Sequence, residues 1–268
     1  FTKFNNPEKN LSNHYEGKVL GEIWGYRVDG LFASDEEAAE YTSKINQDAV
    51  NERILTDKVD PYYRAGDLKF RDLDGDNVIS KGDDTAYDAG DREIIGNETP
   101  RYMYSFRLGA DWNGFDLGIF FQGVGKRDWY PNYLSTGFWG PYSRAFTSFI
   151  PENFMDQCWS EENRDGYFPR FRGYQTFAGS QLGVNNDRYL QDASYIRLKN
   201  LTVGYTLPVL KKVFTKLRVY FTGENLWYWS PMLKHTKYID PEAAGGNGNT
   251  GMAYNYSRNF SVGVDITF

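Results

Sequence analysis

RYMYSFRLGADWNGFDLGIFFQGV, residues 101–124, sets two alternating runs either side of Asn113-Gly114. In the first run Tyr102, Tyr104, Phe106, Leu108 and Ala110 share one face, and Met103, Ser105, Arg107 and Gly109 take the other. In the second, Phe115, Leu117, Ile119 and Phe121 oppose Asp116, Gly118, Phe120 and Gln122. A two-residue period belongs to a strand whose faces meet different surroundings. Asn-Gly supplies the positive φ angles that a tight hairpin turn requires. The stretch predicts a hairpin of long strands, matching the ~9–11 residues with which a tilted strand crosses a bilayer.

The pattern recurs. NLTVGYTLP (200–208) and TKLRVYFTGENLWYW (215–229) alternate in the same way and are joined by the short segment VLKKVF, 209–214. A closing strand over 254–268 aligns Phe260, Val262, Val264, Ile266 and Phe268 against Ser261, Gly263, Asp265 and Thr267. The second faces are rich in Gly, Thr, Ser, Asn and charge, as a wet lumen requires. A soluble sandwich has the same alternation, so the connections must discriminate. The turn at 113–114 and the link 208–214 are short, whereas 126–194 and 229–253 are long and polar. With Phe268 at a periplasmic end, alternating strand directions put every short turn on the periplasmic side. Residues 29–100, 126–194 and 229–253 then form extracellular loops, the asymmetry of outer-membrane barrels. Trp227, Tyr228 and Trp229 fall at the outer interface, where an aromatic girdle belongs. A structureless connection of nearly seventy residues is foreign to a compact soluble domain.

Composition agrees with strands and long wet loops. Aromatic residues make up 18% of the 268 residues and glycines number 27, while mean hydropathy is −0.64. No run approaches the ~18 apolar residues of a membrane helix; LGIFF, 117–121, is the most apolar short run. FTKFNNPEKN has no apolar signal core, which leaves a cytoplasmic protein or a piece of a longer or processed chain. A net charge of −6 argues against a broad nucleic-acid surface. Cys158 is the sole cysteine and reads as a shielded thiol, and two histidines, His14 and His235, leave little for a zinc cluster or a Ser-His-Asp triad.

Two loop features stand out. Residues 34–51 predict a short surface helix, with Ser34 and Glu37 at capping-box spacing and acids in the first turn. DLDGDNVISKGD, 72–83, has the frame of a calcium loop. Its ligands would be Asp72, Asp74, Asp76, the Val78 carbonyl, Ser80 and Asp83, with Ile79 as the apolar anchor. Asn77 stands where such loops have glycine, and Asp91 rivals Asp83 as the last ligand. An Asp/Gly turn without an ion is the alternative.

Several stretches resemble the C-terminal part of the SusC/RagA family of TonB-dependent outer-membrane transporters. They are GEIWGYRVDGLFASDEEA (21–38), AGDLKFRDLDGDNVIS (65–80), DREIIGNETPRYMYSF (91–106) and WSEENRDGYFPRF (159–171), with DASYIRLKNLTVGYTLP (192–208) the nearest to the family signature. Departures are the spacing of residues 84–91, Asn77, Glu98-Thr99, and Phe168 in place of a tyrosine. The terminal Phe268 resembles the family's assembly signal. The resemblance implies an all-β fold, an antiparallel transmembrane β-barrel of about 22 strands, with a plug domain that this chain lacks. It implies TonB as the energy link through that plug, and a SusD-like surface lipoprotein as lid, in a dimer of transporter-lipoprotein pairs. It further implies oligosaccharide or peptide cargo and residence in a Bacteroidetes-type outer membrane. The chain has room for about eight strands, and an open sheet is untenable in lipid. The expectation is therefore a C-terminal portion completed by the remaining N-terminal barrel and plug portion. Calcium in the Asp loop would be structural. Loop aromatics Trp129, Tyr130, Phe138, Trp139 and Tyr142 would contact the lid or pack the loops ahead of binding cargo.

Two other functions are open to the sequence. One is a secreted calcium-dependent glycan-binding β-module, which the long strands disfavour. The other is a glycosidase using Glu161 and Asp165, a pair set in an otherwise solvated polar loop.

Overall fold

The hairpin of residues 101–124 forms two full-length strands, β1 (Tyr102–Trp112) and β2 (Phe115–Gly125), in a computed structural model. It describes residues 1–55, 61–144, 146, 148, 150–177, 179–208, 215–244 and 255–268. Asn113 and Gly114 take φ angles of 48° and 88°, as a two-residue turn between right-twisted strands demands. Three more strands follow: β3 (Tyr195–Leu207), β4 (Lys216–Trp229) and β5 (Asn259–Thr267). They form one antiparallel sheet in the order β5-β4-β3-β2-β1. Among the described residues the sheet does not close, so β1 and β5 are its edges. The link 209–214 lies outside the described residues.

Register turns the alternation of single strands into two continuous surfaces. One row runs Ala110, Leu117, Val203, Phe221, Val262 across all five strands; a neighbouring row runs Leu108, Ile119, Leu201, Gly223, Phe260. The opposite face carries Gly109, Gly118, Thr202, Thr222 and Ser261. On that polar face Arg218 of β4 donates to Asp116 of β2 at 2.6 and 2.8 Å and to Asp265 of β5 at 3.0 Å. It crosses β3 at Gly204, where an added Cβ would lie 2.3 Å from the Asp116 carboxylate and 2.6 Å from the Arg218 Nε. Glycine is the residue that leaves the arginine its path.

Two strands differ from the sequence reading. β3 starts at Tyr195 rather than Asn200, because the register shifts between Leu198 and Asn200. This bulge keeps Leu198 and Leu201 on one face although they are three residues apart. On β4 the partner irregularity has Asn225 at a φ of 52°. β5 begins at Asn259, later than the expected 254, and Tyr254 lies outside the described residues. Trp227 and Trp229 stand on the apolar face, whereas Tyr228 turns to the polar side beneath the Arg197 guanidinium, 4.7 Å away.

The sheet belongs to one of two compact units, made of Pro100–Arg127, Asp192–Ala243 and the C-terminal strand. The other is built mainly from Phe1–Thr99 and Asp128–Gln191. The long segments expected to be structureless therefore have a core of their own. Short ladders join Glu22–Tyr26 to Arg92–Asn97 and Val28–Leu31 to Leu68–Phe70, all too short to span a bilayer. So the expected room for about eight spanning strands reduces to five among the described residues.

Helix α1 (Asp35–Thr42) is capped by Ser34, whose side chain accepts the Glu37 N–H. Glu37 accepts from the Ala33 N–H and from Lys69 at 2.7 Å each, which hold its carboxyl below the usual range, Lys69 foremost. The helix ends well before the expected residue 51 because the chain beyond it has other partners. Asn46 bonds the Asp loop, and the Gln47 amide bonds Leu68 and Phe70 along the strand edge.

Candidate functional site

Residues 72–91 fold into a loop whose carboxylates cap its own backbone. Asp72 accepts the N–H of Gly75 at 2.7 Å and of Asn77 at 2.9 Å; Asp74 accepts that of Asp76, and Asp76 that of Val78. Asn77 has a φ of 65°, the left-handed conformation for which such loops use glycine. Ile79 is wholly buried, and its neighbours pair with Asn46: the Asn46 N–H donates to the Asn77 carbonyl at 2.8 Å, the Ile79 N–H to the Asn46 carbonyl at 2.7 Å. The anchor pins one side of the loop to the core while the acids stay near solvent.

The loop is closed by Asp91. Its two oxygens accept the Leu73 and Ser80 N–H groups at 2.7 Å each, so one buried carboxylate ties both ends. Burial, with Asp74 and Asp72 alongside, pushes the Asp91 carboxyl upward against the pull of those two donors. Oxygens of Asp72, Asp74 and Asp91 lie within 4.8 Å of one another. Asp76 and Asp83 are not in that group of carboxylates; Asp83 is exposed, and Ser80 Oγ accepts the Gly82 N–H at 3.1 Å. Three converging carboxylates with an all-oxygen donor set fit Ca²⁺ in chemistry, and a divalent cation would relieve their mutual repulsion.

The loop aromatics are packed rather than displayed. Trp129, Phe138, Trp139 and Tyr142 are buried in the unit built on Asp128–Gln191. The Trp139 indole donates to the Pro131 and Asn132 carbonyls at 3.1 and 3.0 Å, and the Tyr142 hydroxyl to Pro169 at 2.5 Å. Tyr130 donates to the Val184 carbonyl at 2.8 Å. Phe168 is buried among the rings of Phe138, Trp139, Tyr142, Phe154 and Tyr189, a place where a tyrosine hydroxyl would need a partner. Cys158 is buried, and burial pushes its thiol up, the surroundings of a shielded group. Glu161 binds Arg164 at 2.8 Å in exposed loop, and Asp165 is exposed, so neither has the burial that makes a carboxyl a general acid.

A second polar cluster lies on the polar face of the sheet. Arg197 pairs with Asp240 and, at 3.0 Å, with Glu242, which also takes Lys199 at 2.7 Å. The four charges hold segment 230–243 against β3, and Tyr256 lies over both cations at 5.2 and 4.7 Å. Arg197 and Lys199 in RLKN gave no sequence signal for this role, because their carboxylate partners sit more than forty residues away.

No family model matches the chain. A TonB-dependent receptor (P3) of Formosa agariphila is 30% identical over 269 residues, which cover 94% of this chain and 22% of that protein. Receptor P26 of the same organism is 28% identical over 216 residues, 76% of this chain and 20% of its own length. Among solved structures, the RagAB peptide transporter aligns with a TM-score of 0.57 at 22% identity, covering 95% of this chain and 24% of the other. The RagAB peptide importer in a closed-closed state gives 0.55 at 21% identity, covering all of this chain and 25% of the other. These structures share the fold of the sheet, an open portion of a transporter barrel. The chain is related over nearly its whole length to TonB-dependent receptors, and it spans about a fifth of the length of the curated relatives it matches.

Proposed function

We propose that this chain is a C-terminal part of the wall and the outer loops of an outer-membrane importer for oligosaccharides or peptides. The supporting observation is the five-strand register, which lays one unbroken apolar face against one polar face over strands of spanning length. The apolar face meets lipid, and the polar face lines the lumen. Residues 29–100, 126–194 and 229–253 are the extracellular side. The remaining barrel strands and the plug belong to the rest of the receptor, and TonB acts through the plug. The chain carries no chemistry of its own. A SusD-like surface lipoprotein caps the barrel as a lid, in a dimer of such pairs. The test is extraction of the full-length receptor from its source membranes in mild detergent, followed by native mass spectrometry. A complex with a surface lipoprotein is expected; recovery from the soluble fraction without a partner would overturn the reading and favour a secreted glycan-binding module.

The Asp loop is proposed to hold a structural Ca²⁺ through Asp72 and Asp74, with Asp91 in the closing place first assigned to Asp83. Ca²⁺ would supply charge neutralisation and rigidity, not catalysis. Chelation should lower the thermal midpoint of the receptor's loop region, and Asp72→Asn/Asp74→Asn should abolish that response. A midpoint indifferent to chelator and to Ca²⁺ would remove the ion.

A further inference from the structure

We propose that Arg101 and Lys126, at the loop end of the hairpin β1–β2, bind the phosphate of an anionic membrane lipid whose acyl chains lie along the apolar face below. The inference rests on the outward assignment of that end made above. Pairing of Tyr102 with Gly125 brings the two residues together, and the Arg101 N–H donates to the Lys126 carbonyl at 3.1 Å. Both side chains are exposed. Lys126 adopts a φ of 54°, a conformation that few non-glycine residues take, and here it turns the chain out of β2.

The guanidinium of Arg101 lies over the Tyr102 ring, 5.6 Å from its centroid. Tyr102 opens the apolar face, so this contact holds the cation on the lipid side of the hairpin and away from the polar side. Below it Tyr102, Tyr104, Phe106 and Leu108 remain 58, 41, 42 and 55% exposed, an open lane for acyl chains. Three other cations of the sheet are engaged with carboxylates: Arg218 with Asp116 and Asp265, Arg197 with Asp240 and Glu242, and Lys199 with Glu242. Among the described residues no carboxylate pairs with Arg101 or Lys126. A planar guanidinium matches two phosphate oxygens, and the ammonium of the residue paired with it through the backbone supplies a second charge. Two uncompensated cations at the rim above an apolar face fit a lipid phosphate better than an acidic protein surface, which would leave that face bare.

The experiment uses full-length receptor, wild type and Arg101→Ala/Lys126→Ala, extracted in mild detergent and compared by native mass spectrometry. The probes are a bis-phosphorylated lipid A, the same lipid with its phosphates removed, and inorganic phosphate. Wild type should retain the phosphorylated lipid about tenfold more than the double variant, with no difference for the dephosphorylated lipid. Equal retention by both receptors overturns the site. Displacement of the lipid by inorganic phosphate at equal concentration assigns the cations to a soluble anion and also overturns it. Heat-modifiable migration of the double variant on gels checks that the barrel is intact. Lys126→Cys, labelled on whole cells with an impermeant maleimide, separates the two readings. No labelling overturns the outward assignment and this site with it; labelling with unchanged lipid retention overturns this site alone.

Discussion

Asp67 has no exposed surface, yet its charge is fully engaged. Arg172 donates to both its oxygens at 3.1 and 3.4 Å, the Arg64 N–H at 2.9 Å and the Gln181 amide at 3.3 Å. Gln181 in turn accepts the Leu68 N–H at 2.7 Å, so this polar knot replaces a missing strand beside Leu68–Phe70. Removing one partner of a buried pair strands the other charge, which costs roughly 3–5 kcal/mol. Asp67→Asn is therefore expected to unfold the unit around it at a urea concentration that leaves the sheet intact, as read by proteolysis within 61–71. Wild-type resistance would show that the knot is dispensable. Asp67 was silent in the sequence, since the side chains that pair with it, Arg172 and Gln181, stand more than a hundred residues on. The Asp loop was legible by contrast, because its caps are local. Asn77 takes the left-handed place its position demands. The tie of Asp91 to Leu73 and Ser80, which favours it over Asp83 in the proposed site, comes from the fold, and spacing alone does not carry it.

At the scale of the element, alternation located the strands because lipid and lumen impose opposite polarity on successive residues. Where that rule bends, sequence reading lost the boundary: Leu198 and Leu201 break the two-residue period, and the strand continues through a bulge. The helix was over-read for the opposite reason. Residues 44–51 keep helical composition, but Asn46 and Gln47 bond other chain segments in place of further helical turns. The two faces make a paired prediction at neighbouring positions. Leu201→Arg places a charge in the middle of the apolar row and should cost about 2–4 kcal/mol, depleting receptor from the outer membrane. Thr202→Arg, on the polar row, should assemble at near wild-type level. Surface biotinylation and heat-modifiable migration read both. Equal tolerance would mean that the faces do not meet different solvents.

In the whole molecule, residues 128–191, the longest segment between the strands of the sheet, fold with residues 1–99 into a unit. Its core comes from aromatics that sequence reading placed in loops for lid contact or packing, and packing is what burial of Trp129, Phe138, Trp139 and Tyr142 supports. Length alone suggested an unstructured connection, because Gly, Asn and Pro mark turns without showing that the turns stack around rings. The sheet remains open, with apolar residues exposed on β1 and β5, and lipid on one face with further strands at the edges accounts for both. The most direct test of that account is a spin-label scan of positions 201–207 in the full-length receptor reconstituted in bilayers, leaving out Gly204, where a side chain would break the Arg218 bridge. Oxygen accessibility should peak at Leu201, Val203, Tyr205 and Leu207, and accessibility to a water-soluble nickel chelate at Thr202 and Thr206. Uniform access of the nickel reagent to all six positions would contradict a membrane-spanning wall.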